Sequence, residues 1–215
     1  MKPDGPLPTY EWSFSNLNPL LQAWATFRVF KIERKMYGRE DLQFLERVFQ
    51  KLLLNSLWWV NQKDASGQNV FDGGFLVHDN FGLLNQSEPL LTGGSLGQAD
   101  GTAWMAFFAL NMFNMALELA KNNQANEDIA SKFFEHFLFI SEAMTFGTPH
   151  NEQSSLWNSK DGFYYSPKRL ISFYATLTLE LGVLKRIPVF KKRMDWFTEN
   201  RPEFVTKNII ANMMA

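Results

Sequence analysis

The chain contains no cysteine, which excludes a disulfide framework and any thiolate-held zinc site. That composition suits a reducing compartment, and the expected localisation is cytoplasmic. Histidine is scarce: His78, His136 and His150 are scattered too widely in sequence to suggest a metal site. Neither a metal nor another cofactor is expected. An excess of either charge is lacking too, with 21 basic against 22 acidic residues and a formal net charge of -1. A nucleic-acid binder usually carries a basic surplus, so nucleic acid is not an expected partner. There is no phosphate loop, dinucleotide fingerprint or HExxH pair. The start, Met1-Lys2-Pro3-Asp4-Gly5-Pro6, is polar, with no apolar run of the kind a signal peptide needs behind it. The longest apolar stretch, Trp104 to Ala120, is interrupted by Asn111, Asn114 and Glu118, so no membrane span is expected.

What the chain does have is apolar and aromatic mass. Of 215 residues, 46% are hydrophobic and 20% charged, enough to build a packed core. The 21 Phe, 7 Trp and 5 Tyr make 15% of the sequence aromatic. Most Phe residues read as core. Trp has a second reading, because the apolar C–H face of a sugar ring stacks on an indole.

Helical periodicity dominates. A first helix is expected from Pro19 to Tyr37, ended by Gly38, and a second from about Asp41, with Leu42, Leu45, Val48, Phe49, Leu52 and Leu53 on one face before Trp58-Trp59. From Lys63 to Asp100 the pattern stops in a stretch rich in Gly, Asn, Asp and Ser. A connection of that length is far beyond an ordinary helix–helix turn, and long loops disproportionately carry function. Helices are expected again from about Gly101 to Lys121 and from about Asn126 to Met144, with Asn126 as cap and Glu127 and Asp128 in the first turn. After a second irregular stretch, Thr145 to Lys168, two more are expected at Leu170–Gly182 and Pro188–Glu199. About six helices in antiparallel pairs, with short turns alternating with long loops and no short repeat, point to an all-α fold of the α/α toroid type.

Carboxylates are the remaining candidates for chemistry, since glycoside hydrolysis usually needs two. Asp79 lies in the apolar, glycine-flanked run Phe71-Asp72-Gly73-Gly74-Phe75-Leu76-Val77-His78-Asp79-Asn80-Phe81-Gly82. In an apolar cleft its charged form is disfavoured and it can serve as an acid near neutral pH; as an Asx-turn residue it would only bond its own backbone. Asp100 is either a helix N-cap or an acceptor for a sugar hydroxyl, and Asp161, before Gly162, reads as a turn residue. Trp58, Trp59 and Trp104 are core residues or sugar platforms. Lys191, Lys192 and Arg193 read as a solvated helix face.

Several runs resemble glycoside hydrolase family 63, in its bacterial and fungal glucosidase-like members related to the mannosyl-oligosaccharide glucosidases. They are Leu7-Pro8-Thr9-Tyr10-Glu11-Trp12, Asn18-Pro19 with Ala23-Trp24-Ala25, Glu46 to Asn55, Trp58-Trp59-Val60-Asn61, and Gly73-Gly74-Phe75-Leu76 with Asp79-Asn80. Gln98-Ala99-Asp100-Gly101-Thr102-Ala103-Trp104-Met105-Ala106, Phe133 to Phe137, Asp161 to Tyr165 and Trp196 to Pro202 continue the likeness along nearly the whole chain. The resemblance implies an (α/α)6 toroid and inverting hydrolysis of α-glucosidic bonds in oligosaccharides. It places the general acid on Asp79, with Asn80 as its neighbour, and lines the sugar pocket with Asp100, Asn18 and Trp24. His78 departs from the family pattern, and the stretch around Ser166-Pro167-Lys168-Arg169 is shortened.

The likeness includes neither the family's upstream Trp-Asp segment nor its downstream general-base Glu. A full toroid of six helical pairs takes roughly 250–300 residues or more. Residues 1–215 are therefore expected to form one partial domain, about half of the barrel, with impaired or no activity alone. An oligosaccharide or glucoside is the expected ligand, and a homo-oligomer or a complementing chain would cover exposed apolar helix faces. The alternatives are an inactive carbohydrate-binding remnant and a helical interaction scaffold.

Overall fold

A computed structural model describes residues 5–8, 20–64, 67–71, 100–147, 155–158, 160–161, 163–164 and 184–202. Asn18, Asp79, Asn80 and the helix expected over 170–182 lie outside these residues. Five helices are described: α1 Gln22–Tyr37, α2 Leu42–Lys63, α3 Asp100–Ala120, α4 Ala125–Phe146 and α5 Pro188–Asn200. The strands are two residues each, β1 Trp157–Asn158 and β2 Phe163–Tyr164, paired antiparallel. The described chain is all-α in character, as its periodicity predicts.

The ends of these helices follow local chemistry. Gly38 closes α1 in the left-handed conformation, φ 65°, and its N–H donates to the Arg34 carbonyl. Asp41 caps α2 by accepting from the Phe44 N–H at 2.8 Å. Pro188 occupies the first turn of α5, where its missing N–H costs nothing. One expected cap is corrected. Asn126 lies inside α4 and is buried, because the turn tightens earlier: the Asn123 side chain accepts from the Ala125 N–H at 3.1 Å.

α3 is the axis of the core. Its residues from Gly101 to Ala120 are buried save for Trp104 and Asn114, which are half-buried. Ala103, Ala106, Ala109 and Ala116 let neighbouring helices approach closely, and the most extensive contact is with α4. The expectation that this run falls short of a membrane span needs correction. Gly101–Ala120 is long and apolar enough to cross one, with mean hydropathy 1.3, but 89% of that window is buried inside the protein. A helix apolar on all sides is what the centre of a bundle requires. One of its buried polar side chains is satisfied within the helix: the Asn111 amide donates to the Phe107 carbonyl at 2.8 Å. Phe113, Phe134 and Phe190 join α3, α4 and α5 with ring centroids 5.1–5.6 Å apart, so the phenylalanines fill the core as expected.

Helix direction follows from three long-range bonds and two short turns. Arg34, in the last turn of α1, reaches Glu118 near the end of α3 at 3.1 Å, so α1 and α3 run parallel. The short turns at 38–41 and 121–124 make α2 and α4 antiparallel to them. α5 runs alongside α4, with its start held by Glu127 and its end by Glu142. Both short turns thus lie at one end of the bundle. The opposite end holds the N-termini of α1 and α3, the C-termini of α2, α4 and α5, and the departure of both long connections.

Candidate functional site

The end that carries the long connections also gathers the described candidates. Trp24 sits in the first turn of α1, Trp58 and Trp59 in the last two turns of α2, and Asp100 and Trp104 in the first two turns of α3. Residues separated in sequence by up to 80 positions are therefore placed at one end by helix direction alone.

Their environments differ. Trp24 is 45% exposed, so an indole face is open to solvent. Trp104 is half-buried, packed on the core and set edge-on to Phe107 at 6.1 Å between centroids. Trp58 is likewise half-buried and meets Trp59 at 5.8 Å, nearly perpendicular. Trp59 is only 2% exposed. Its ring faces are occupied by core neighbours, the first of the two readings open to it in sequence. Asp100 is the first residue of α3 rather than a residue before it.

Two anchors fix the loops at this end. The Thr102 hydroxyl accepts from the Phe71 N–H at 3.0 Å and lies 3.4 Å from the Phe71 carbonyl, while the Phe71 ring is buried. The chain that leads on to Asp79 is thereby pinned, at residue 71, to the first turn of α3. Before it, the Asp64 carboxylate turns the chain out of α2 by accepting from the N–H groups of Gln68 and Asn69 at 3.0 and 2.8 Å. The second anchor is the buried Asn55 amide, which donates to the Gly5 carbonyl at 3.0 Å. Gly5 has φ 111°, and a Cβ there would lie 2.6 Å from the Leu54 carbonyl oxygen, so only glycine fits against α2.

The β1–β2 hairpin is a part of this end to which sequence reasoning gave no role. Trp157 and Tyr164 face each other across the pair, centroids 4.8 Å apart. The Tyr164 hydroxyl lies 2.8 Å from that of Thr145 at the end of α4, and the Leu156 N–H donates to the Met144 carbonyl. Burial pushes the Tyr164 phenol above its usual pKa, opposed by the bond to Thr145. Asn158 accepts from the N–H groups of Lys160 and Asp161, so Asp161 is the exposed turn residue expected. The available signal was the aromatic residues, Trp157 before and Phe163-Tyr164 after, that flank the Lys160-Asp161-Gly162 turn.

Among the described residues no group of three or more His, Asp or Glu is placed to hold a metal ion. An open groove of about 620 Å³ lies elsewhere, between α2 and α4, lined by Leu57, Val60, Ile129 and His136 among others. Burial, and then the charge of Lys132, lower the pKa of His136, against a smaller opposing pull from Glu135. It sits on the flank of the bundle, away from the turns that carry Trp24 and Trp104.

No family model matches the chain, and no solved structure matches it. It is 55% identical over 233 aligned residues to the uncharacterized protein YMR196W of Saccharomyces cerevisiae. That alignment takes in 97% of this chain, and the chain spans 21% of the length of that curated relative.

Proposed function

We propose that this chain is the acid-bearing part of an α-glucosidase-type module, an incomplete α/α toroid whose long-loop end binds the glucosyl unit of an oligosaccharide. The observation that carries the reading is the gathering of Trp24, Trp104 and the start of α3 at the end where the chain toward Asp79 is pinned by Thr102. Short turns gathered at one end, with the long chains after α2 and α4 both departing from the other, is the layout that an α/α toroid uses to build a site from loops.

In this reading Asp79 donates a proton to the glycosidic oxygen as its bond to the anomeric carbon breaks. A water attacks that carbon from the opposite face and gives its proton to a second carboxylate. Inversion needs the two carboxyls about 6.5–9.5 Å apart, leaving room for the water. The resemblance assigns the second carboxylate to a Glu outside residues 1–215. The chain by itself then binds α-glucosides and turns them over poorly or not at all. The exposed indole of Trp24 supplies a stacking face, and Asp100 accepts from a sugar hydroxyl.

The test is release of glucose from nigerose, kojibiose and a chromogenic α-glucoside by the chain and by Asp79→Asn. Whatever turnover the chain shows is expected to vanish in the variant. Turnover that persists unchanged in Asp79→Asn would remove that residue from the role of acid.

A further inference from the structure

The helix α1 is apolar on two opposite faces. Ala23, Phe27 and Phe30 are buried against the bundle. On the far side Leu21, Val29, Ile32 and Met36 are 42%, 54%, 49% and 66% exposed, with Ala25 exposed among them. At about 100° per residue these five fall within an arc of roughly 80°, a continuous stripe on the side turned away from the core. The stripe runs about 22 Å along the helix at 1.5 Å per residue. A helix apolar on both faces is normally enclosed. Here one flank of the stripe is a row of bases, Arg28, Lys31 and Lys35, spaced three and four apart and all exposed. The opposite flank carries Glu33, already held by Arg39.

These charges select the occupant. Two copies of α1 packed antiparallel would bring the basic rows together. A parallel pair would set each row against a flank whose acid is engaged by Arg39. A helix with an apolar stripe bordered by Asp or Glu meets both the apolar face and the basic row. The yeast relative carries nearly four fifths of its length outside the matched part, so additional polypeptide accompanies this region there. We infer that the outer face of α1 is a docking surface for an acidic amphipathic helix. This inference does not depend on the glucosidase reading.

The test uses the full chain and a labelled synthetic helix of about 18 residues, long enough to cover the stripe. One peptide carries a leucine stripe flanked by Glu, and its counterpart has the same stripe flanked by Lys. The Glu-flanked peptide is expected to bind at least tenfold more tightly by fluorescence anisotropy, and more weakly as salt is raised. Val29→Glu/Ile32→Glu, both at exposed positions, should abolish that binding with the helical circular dichroism unchanged. Arg28→Glu/Lys35→Glu should reverse the preference between the peptides. Equal binding of the two peptides, no binding of the acidic one, or binding indifferent to Val29→Glu/Ile32→Glu would overturn the inference. So would a dimer of the chain, seen by light scattering, that Val29→Glu/Ile32→Glu dissolves, because the occupant would then be a second copy. Adsorption to phosphatidylserine vesicles in preference to the acidic peptide would also overturn it in favour of a membrane surface.

Discussion

The Thr102 hydroxyl accepts a hydrogen bond from the backbone N–H of Phe71, 31 residues earlier, at 3.0 Å. Both residues are buried, so this N–H has no water to turn to if the hydroxyl is removed. Thr102→Val keeps the shape and deletes the acceptor. It is expected to cost about 1–3 kcal/mol, read as a lower urea midpoint. It should also raise amide exchange at Phe71 more than at the ends of α4, since the bond holds the long connection rather than the helix.

A second buried contact joins the other end of the bundle. The Glu127 carboxylate, 3% exposed in the first turn of α4, accepts from the Phe190 N–H in the first turn of α5 at 2.8 Å. A carboxylate there also faces the positive end of the α5 dipole. Glu127→Ala should destabilise the chain by about 1–3 kcal/mol by orphaning that N–H. Glu127→Gln keeps an oxygen in place and should recover most of the loss in thermal unfolding.

His136 gives a pH signature. Its pKa is lowered in the folded chain, chiefly by burial and secondly by Lys132, so the unfolded chain binds its proton first as pH falls. Stability from this group is present above the ordinary histidine value of about 6.5 and is lost as pH falls below it toward the folded pKa. The unfolding midpoint should therefore drop as the pH falls below about 6.5. In His136→Gln that part of the slope should flatten, and an unchanged profile would remove His136 as its source.

The close approach of Gly5 to α2 is equally testable. Gly5→Ala places a Cβ 2.6 Å from the Leu54 carbonyl oxygen, at a φ of 111° that side chains avoid. The 5–8 segment should detach from α2 and leave the Asn55 amide without its carbonyl acceptor. Proteolysis near the N-terminus should become faster while the core melts almost unchanged.

Much of this arrangement was legible in the sequence. Gly38, Asp41 and Pro188 mark helix ends because their backbone and side-chain chemistry is local, and the stripe from Leu42 to Leu53 follows from helical spacing. The Asn126 cap was misplaced because Asn123, Gln124 and Asn126 offer similar side chains within one turn, and only the path of the turn chooses among them. The separation of Trp24, exposed, from Trp59, buried, depends on which way α2 faces its neighbours. A local pattern does not encode that. The role of Glu127 was unreadable for the same reason, since its partner lies 63 positions away. Asp79 and Asn80 rest on the family resemblance, and their segment lies outside the described residues.

The central claim is that the end of the bundle bearing Trp24, Asp100 and Trp104 binds α-linked glucose. Isothermal titration of the purified chain with kojibiose and nigerose, beside the β-linked cellobiose, tests it most directly. The account predicts saturable binding of the α-linked sugars only, weakened at least tenfold in Trp24→Ala and Asp100→Ala while both variants remain folded. Equal binding of cellobiose, or heats for every sugar no larger than dilution, would contradict it.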